Sequence, residues 1–268
     1  MTQRPLLLGI LLGLVALLLY VQSHPKGHPV IPRRLLPPFD VYVINLDSAV
    51  DRLGHFKKQV ASSDLVSKSF IRYPAISGAS LDIKSMVSSH ALWEISQAER
   101  TGFRLRHYQL SRGAVGCYMS HVKLWESILK TDKEVALVFE DDAQIYPTLN
   151  AYLTTTAFPE DFDMILLGFV CFKCRKDESS GFVRVKRFFG LHGYLISTRG
   201  IRKILGSHRV SPIRKQIDSM LSDMTSAGEL IVYATPRKYV EQNNETFGTQ
   251  IQLPIKEGEN PWAALQIE

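Results

Sequence analysis

Cysteine is scarce in this chain of 268 residues, which has only three, and their spacing removes one class of site at once. Cys171 and Cys174 form a C-x-x-C pair and Cys117 stands apart, so no second pair exists to complete a four-cysteine zinc site. No thioredoxin-like β-α-β pattern precedes the pair. Unpaired structural cysteines are therefore the first expectation, a local disulfide the second and redox chemistry the last. Internal repeats are absent. The eight histidines provide no further His/Asp cluster of the kind a two-metal phosphohydrolase needs.

Charge is missing altogether from Leu6 to Val21, where only Gly9, Gly13, Ala16 and Tyr20 interrupt large apolar side chains. A membrane span needs ~20 such residues, so this run is short. It reads as a signal anchor in a thin secretory-pathway membrane, the preferred reading, or as the core of a signal peptide cleaved near Val21-Gln22-Ser23. Either sends the residues beyond ~25 across a membrane. The expected product is a single-pass type II protein with its body in the Golgi or ER lumen, or a secreted one if the segment is cleaved. Arg4 precedes the run while Lys26, Arg33 and Arg34 follow it, so the positive-inside rule decides orientation poorly. The sequon Asn244-Glu245-Thr246 fits an extracytoplasmic body.

Along the chain, residues 1–22 form the anchor or signal segment. Residues 23–38, with Pro25, Pro29, Pro32, Pro37 and Pro38, read as a stiff exposed stem. The folded domain is expected from Phe39 through residue 268. Val41–Leu46, Val135–Phe139, Met164–Gly168, Gly193–Ser197 and Leu230–Tyr233 are apolar runs of strand length. Asp51–Val60 and the region Ser88–Arg100 read as helices. Val122, Trp125, Ile128 and Leu129 form a helical stripe after Gly113 and Gly116. Thr198 is the expected cap of a helix from Arg199 to Gly206. Strands alternating with helices predict an α/β sandwich with a mixed, mostly parallel sheet flanked by helices, whose ligands gather beyond the carboxyl ends of the strands.

The net charge of +6 is uneven. Residues 171–215 hold twelve Lys/Arg against Asp177 and Glu178, a balance of +10 that leaves −4 for the remainder. A solvated basic face explains most of these residues; attraction of a diphosphate or an acidic acceptor is the functional alternative. Nucleic acid is not the expected partner of a body outside the cytosol.

The strand Val135–Phe139 runs directly into Glu140-Asp141-Asp142. Three adjacent carboxylates beside an apolar core repel one another, and a divalent cation relieves that conflict. Carboxylate oxygens suit Mg²⁺ or Mn²⁺, with the remaining positions open to diphosphate oxygens. A strand-like continuation would turn Glu140 and Asp142 to one side and Asp141 to the other. An acidic surface turn is the bland alternative.

Four segments in order carry a resemblance to glycosyltransferase family 25: Val43-Ile44-Asn45-Leu46 with Asp51-Arg52, Gly113 to His121 in the pattern G-x-x-G-C-x-x-S-H, Ala136 to Ala143 around the acidic triplet, and Gly193-Tyr194-Leu195-Ile196-Ser197. The resemblance implies a GT-A-like fold and transfer from a UDP-sugar, most often UDP-galactose, with inversion, to a glycan or glycoprotein acceptor. It implies Mn²⁺ or Mg²⁺ held by Asp141 and Asp142, donor contacts from Asn45, Arg52, Ser120, His121 and Glu140, and, through a weaker match at Ile217-Asp218, a base at Asp218. Asp223 and Glu241 are alternative bases. Cys117 and Trp125 are read as core. The rival reading is a non-catalytic, membrane-tethered nucleotide-sugar-binding or interaction protein of the same fold.

Overall fold

The computed structural model describes residues 31–62, 69–104, 109–176 and 181–249, with the side chains of Asn244 and Glu245 left aside. The apolar run Leu6–Val21 lies outside them. No described helix is long and apolar enough to cross a membrane.

The strands are β1 (Arg33–Arg34), β2 (Asp40–Asn45), β3 (Ile71–Pro74), β4 (Val135–Glu140), β5 (Ala143–Ile145), β6 (Phe158–Pro159), β7 (Met164–Leu166), β8 (Val170–Lys176), β9 (Val183–Phe189), β10 (Gly193–Ser197), β11 (Val232–Ala234) and β12 (Val240–Gln242). The helices are α1 (Val50–Ser62), α2 (Ser89–Thr101), α3 (Arg112–Ile128), α4 (Leu149–Thr155), α5 (Thr198–Leu205), α6 (Ile217–Ser226) and the short α7 (Asn244–Phe247).

Eight strands form one sheet in the order β3-β2-β4-β10-β7-β11-β9-β8. Its central strands are apolar on both faces, which is why they read as unbroken hydrophobic runs. Period-two alternation divides their side chains between two cores. Tyr42, Val138, Leu166, Tyr194 and Ile196 face one core with residues of α2, α3, α5 and α6. Val43, Leu137, Phe139, Ile165 and Leu195 face the other with residues of α1 and α4. The result is a layered sandwich of helices on both sides of the sheet.

The sheet is mixed, as expected, but not mostly parallel. β2 is parallel to β3 and β4, and β7 to β11, whereas β10 is antiparallel to both β4 and β7, and β9 to both β11 and β8. The inserted β10 reverses direction between β4 and β7, a polarity that apolar runs alone do not encode.

Three other expectations are corrected. Ser197, not Thr198, caps α5: its side chain accepts a hydrogen bond from the Gly200 N–H at 3.0 Å. The last expected strand begins two residues later, at Val232. Cys171 and Cys174 are joined in a disulfide, with a Cα–Cα distance of 6.1 Å. In a regular strand, residues three apart stand about 10 Å apart on opposite faces; register shifts around Lys173 shorten that separation. Residues 31–38 also lie against the domain, where β1 pairs with β6 and Ile31 and Leu36 pack on a core.

Candidate active site

β2 and β4 deliver their carboxyl ends, and the antiparallel β10 its amino end, to one edge of the sheet, where Ile44 pairs with Glu140 and Gly193 with Phe139. A cavity of about 790 Å³ opens there. Arg52, Ser120, His121, Glu140, Asp141, Asp142 and Asp218 line it. Asn45 stands behind the lining and reaches it through Asp141.

The alternation expected within the acidic run does not hold, because a turn begins immediately after Glu140. Asp141 and Asp142 converge on a single nitrogen, Arg52 Nη1, which donates to Asp141 Oδ1 and Asp142 Oδ2 at 3.1 Å each. The other Asp141 oxygen accepts from Asn45 Nδ2 at 2.7 Å. Asn45 is itself held by Arg72 Nε, which donates to its side-chain oxygen at 2.8 Å. Arg52 Nη2 donates to the Gly248 carbonyl at 2.8 Å, tying the segment after α7 to the acidic run.

Asp142 Oδ2 also accepts from Gln242 Nε2 at 3.1 Å, but its Oδ1 is buried with no hydrogen-bond partner among the described residues. Burial and then the nearby charge of Glu140 raise the Asp142 carboxyl to about 6. Burial also raises Asp141, against the hydrogen bonds from Asn45 and Arg52.

Glu140 turns the other way, toward α3. Its Oε1 lies 3.2 Å from His121 Nε2 and 3.9 Å from Cys117 Sγ. Trp125 Nε1 donates to the Tyr194 hydroxyl at 3.1 Å, and that hydroxyl lies 2.8 Å from His121 Nδ1. Indole N–H can only donate. The arrangement that uses every donor therefore has Tyr194 donating to His121 Nδ1 and His121 Nε2–H donating to Glu140. Burial opposes ionisation of Glu140, but the hydrogen bond from His121, with the nearby Arg52 charge, outweighs it and lowers its carboxyl. Trp125, read as core, is buried and also anchors this chain of hydrogen bonds.

Ser120 is committed to the protein, donating to the Gly116 carbonyl at 2.7 Å and accepting from the Ile76 N–H at 2.8 Å. It fixes the cavity wall at Ile76. A Cβ on Gly116 would stand 2.5 Å from both Gly78 N and Ile76 O, so glycine at that position lets the wall lie directly on α3. Across the cavity, Asp218 accepts from the Gly190 N–H at 3.1 Å and the Ser219 N–H at 2.7 Å. Burial raises its carboxyl despite these bonds. Asp223 instead pairs with Lys215, and Glu241 accepts from Tyr146 at the surface; neither lines the cavity.

His192 and Gln242 also line the cavity and carried no signal in the sequence. Burial lowers the His192 imidazole, and its Nδ1 has no partner among the described residues.

The fold and site define an α/β domain with a carboxylate-rich ligand cavity at the edge of its sheet. The chain belongs to glycosyltransferase family 25: residues 39–221 match the profile described as Glycosyltransferase family 25 (LPS biosynthesis protein). It is 26% identical to Procollagen galactosyltransferase 1-B of Xenopus laevis over 69% of this chain and 31% of that protein. It is 24% identical to the Lipooligosaccharide biosynthesis protein lic2B of Haemophilus influenzae over 61% of each. The matched part is thus about a third of the longer relative.

Proposed function

We propose that this chain is a metal-dependent inverting glycosyltransferase that moves a sugar, galactose first among candidates, from a UDP-sugar to a glycan or glycoprotein acceptor. Family membership and the cavity support this reading. The single observation that carries it is the buried Asp142 Oδ1, an unpartnered carboxylate oxygen beside two further carboxylates. That oxygen would be one ligand of a hard cation such as Mn²⁺ or Mg²⁺; the Asp141 oxygens would reach it only by releasing Arg52 and Asn45, and Glu140 lies toward His121 and Cys117. The cavity volume lies within the usual ~300–1,000 Å³ of small-ligand sites. A GT-A-like arrangement is consistent with the strand ends that meet there.

When bound, the cation supplies Lewis-acid relief of charge on the leaving diphosphate. The protein's own part is distributed among the cavity residues. Arg52 holds Asp141 and Asp142 together, and the Trp125–Tyr194–His121 chain keeps Glu140 ionised. Asp218, its carboxyl raised by burial, takes the proton of the acceptor hydroxyl as the oxygen attacks the anomeric carbon and the bond to the diphosphate breaks.

The reading extends to a type II membrane protein with a luminal domain, supported by the apolar run Leu6–Val21 and by a disulfide suited to an oxidising compartment. The test is UDP release from UDP-galactose by the full chain with Mn²⁺ and an acceptor glycan. Activity should stop with chelator, and Asp218→Asn should lower turnover by ~10²–10⁴ with UDP affinity kept. UDP binding without transfer to any acceptor would leave a non-catalytic binding protein.

A further inference from the structure

Val170 and Phe189 are register partners and both line the cavity. From there β8 runs along the outer edge of the sheet, exposed at nearly every residue. β8 and β9 carry six basic residues and no acidic one. With Asp177 and Glu178 between the two strands, residues 170–189 carry a net +4 of the chain's +6.

Register sets Lys173 opposite Arg187 and Arg175 opposite Arg184. Like charges directly opposed across a ladder are destabilising, so Lys173 and Arg175 gain nothing from this pairing. Elsewhere in the basic stretch the charges are answered: Arg199 and Lys203 by Asp163, and Arg209 by Glu229. On the hairpin, Arg184 lies 3.9 Å from Asp161, while no described carboxylate pairs with Lys173, Arg175, Lys176 or Lys186. Protecting an edge strand from unwanted pairing accounts for charge on β8. It does not account for Lys186 on the inner strand β9.

Exposed apolar surface lies beside these cations. Val170 is 49% exposed and Phe172 41%. The Phe172 ring meets Phe189 edge-on, with centroids 5.1 Å apart. An aromatic ring at the mouth suits the apolar C–H face of a pyranose, and cations beyond it suit acidic groups further along the same chain.

We propose that the β8–β9 hairpin binds an anionic glycan acceptor, bearing carboxylate or phosphate groups, and leads its terminal sugar into the cavity between Val170 and Phe189. This rests on the cavity being a sugar-transfer site. Continuity with the cavity favours a glycan over an anionic membrane, which a basic surface alone would equally attract.

The test is binding by the full chain of a short polygalacturonate oligomer, its neutral methyl ester, and vesicles of phosphatidylcholine with phosphatidylserine, alongside UDP. The acidic oligomer should bind about tenfold more tightly than the ester, and Lys173→Glu with Arg175→Glu should remove that difference while UDP affinity holds. Lys176→Glu with Lys186→Glu provides a second variant should the first fail to fold. Equal binding of the two oligomers, or undiminished binding by a folded variant, overturns the proposal. Hairpin-dependent binding of vesicles but not of the oligomer overturns it in favour of a membrane contact. Absence of UDP binding by the parent removes the sugar-transfer reading separately, while discrimination between the oligomers would still support the hairpin as an anionic-glycan site.

Discussion

Replacing Asp142 with asparagine should stabilise the protein in the absence of divalent cations while abolishing its response to them. The Asp142 carboxyl is raised from 3.8 to about 6, chiefly by burial and then by the charge of Glu140. Folding therefore favours its protonated form. Ionisation costs the folded state nothing below 3.8, increasingly more between 3.8 and 6, and a full amount above 6. That full amount is roughly 3 kcal/mol. An asparagine side chain keeps the shape of the neutral acid, so Asp142→Asn should gain about 1–3 kcal/mol near pH 7.5, once the weakened bond to Arg52 is allowed for. For a domain of this size the gain corresponds to a Tm about 3–9 °C higher. Thermal unfolding in chelator, repeated at falling pH, measures it, and the advantage should shrink between pH 6 and 3.8. Saturating Mn²⁺ should then raise the Tm of the parent and leave Asp142→Asn unmoved. A destabilised Asp142→Asn in chelator above pH 6 would refute the argument that the carboxylates strain one another.

Arg52→Ala leaves Asp141 and Asp142 without their shared cation and should cost about 3–5 kcal/mol, read as a fall in denaturant midpoint. Gly116→Ala forces a methyl group onto Gly78 N and Ile76 O, so we expect a loss of about 1–3 kcal/mol with weakened UDP binding in titration calorimetry. Tyr194→Phe strands the Trp125 N–H and His121 Nδ1, at about 1–3 kcal/mol. In the parent, ¹⁵N NMR should find the His121 proton on Nε2, and a proton on Nδ1 alone would disprove the proposed direction of that chain.

The elements that could be read from the sequence are those whose burial is uniform. β2 and β4 are covered on both faces, so they stand out as apolar runs, and α3 shows a stripe because one side faces a core. β9 alternates apolar and basic residues and β8 is exposed almost throughout, which hid the hairpin within a stretch read only as charge. β5 and β12, three residues each, are too short to show a period. In the site, Asn45, Arg52 and Glu140–Asp142 were legible because each sits at or near the end of a readable strand. His192 and Gln242 come from segments with no pattern of their own. The bond from Trp125 to Tyr194 joins residues 69 positions apart, a pairing that no local pattern carries.

The contact between Gly116 and the segment Ile76–Gly78 has a consequence for how this domain can change. At Gly116 one side of the cavity is set by main chain lying on main chain, with Ser120 bonded alongside. Substitutions elsewhere on α3 can therefore alter what the cavity presents without altering its width, and only this glycine and Ser120, which holds Ile76, are denied that freedom. Dimension and chemistry are held by different atoms, so the second can vary while the first stays fixed.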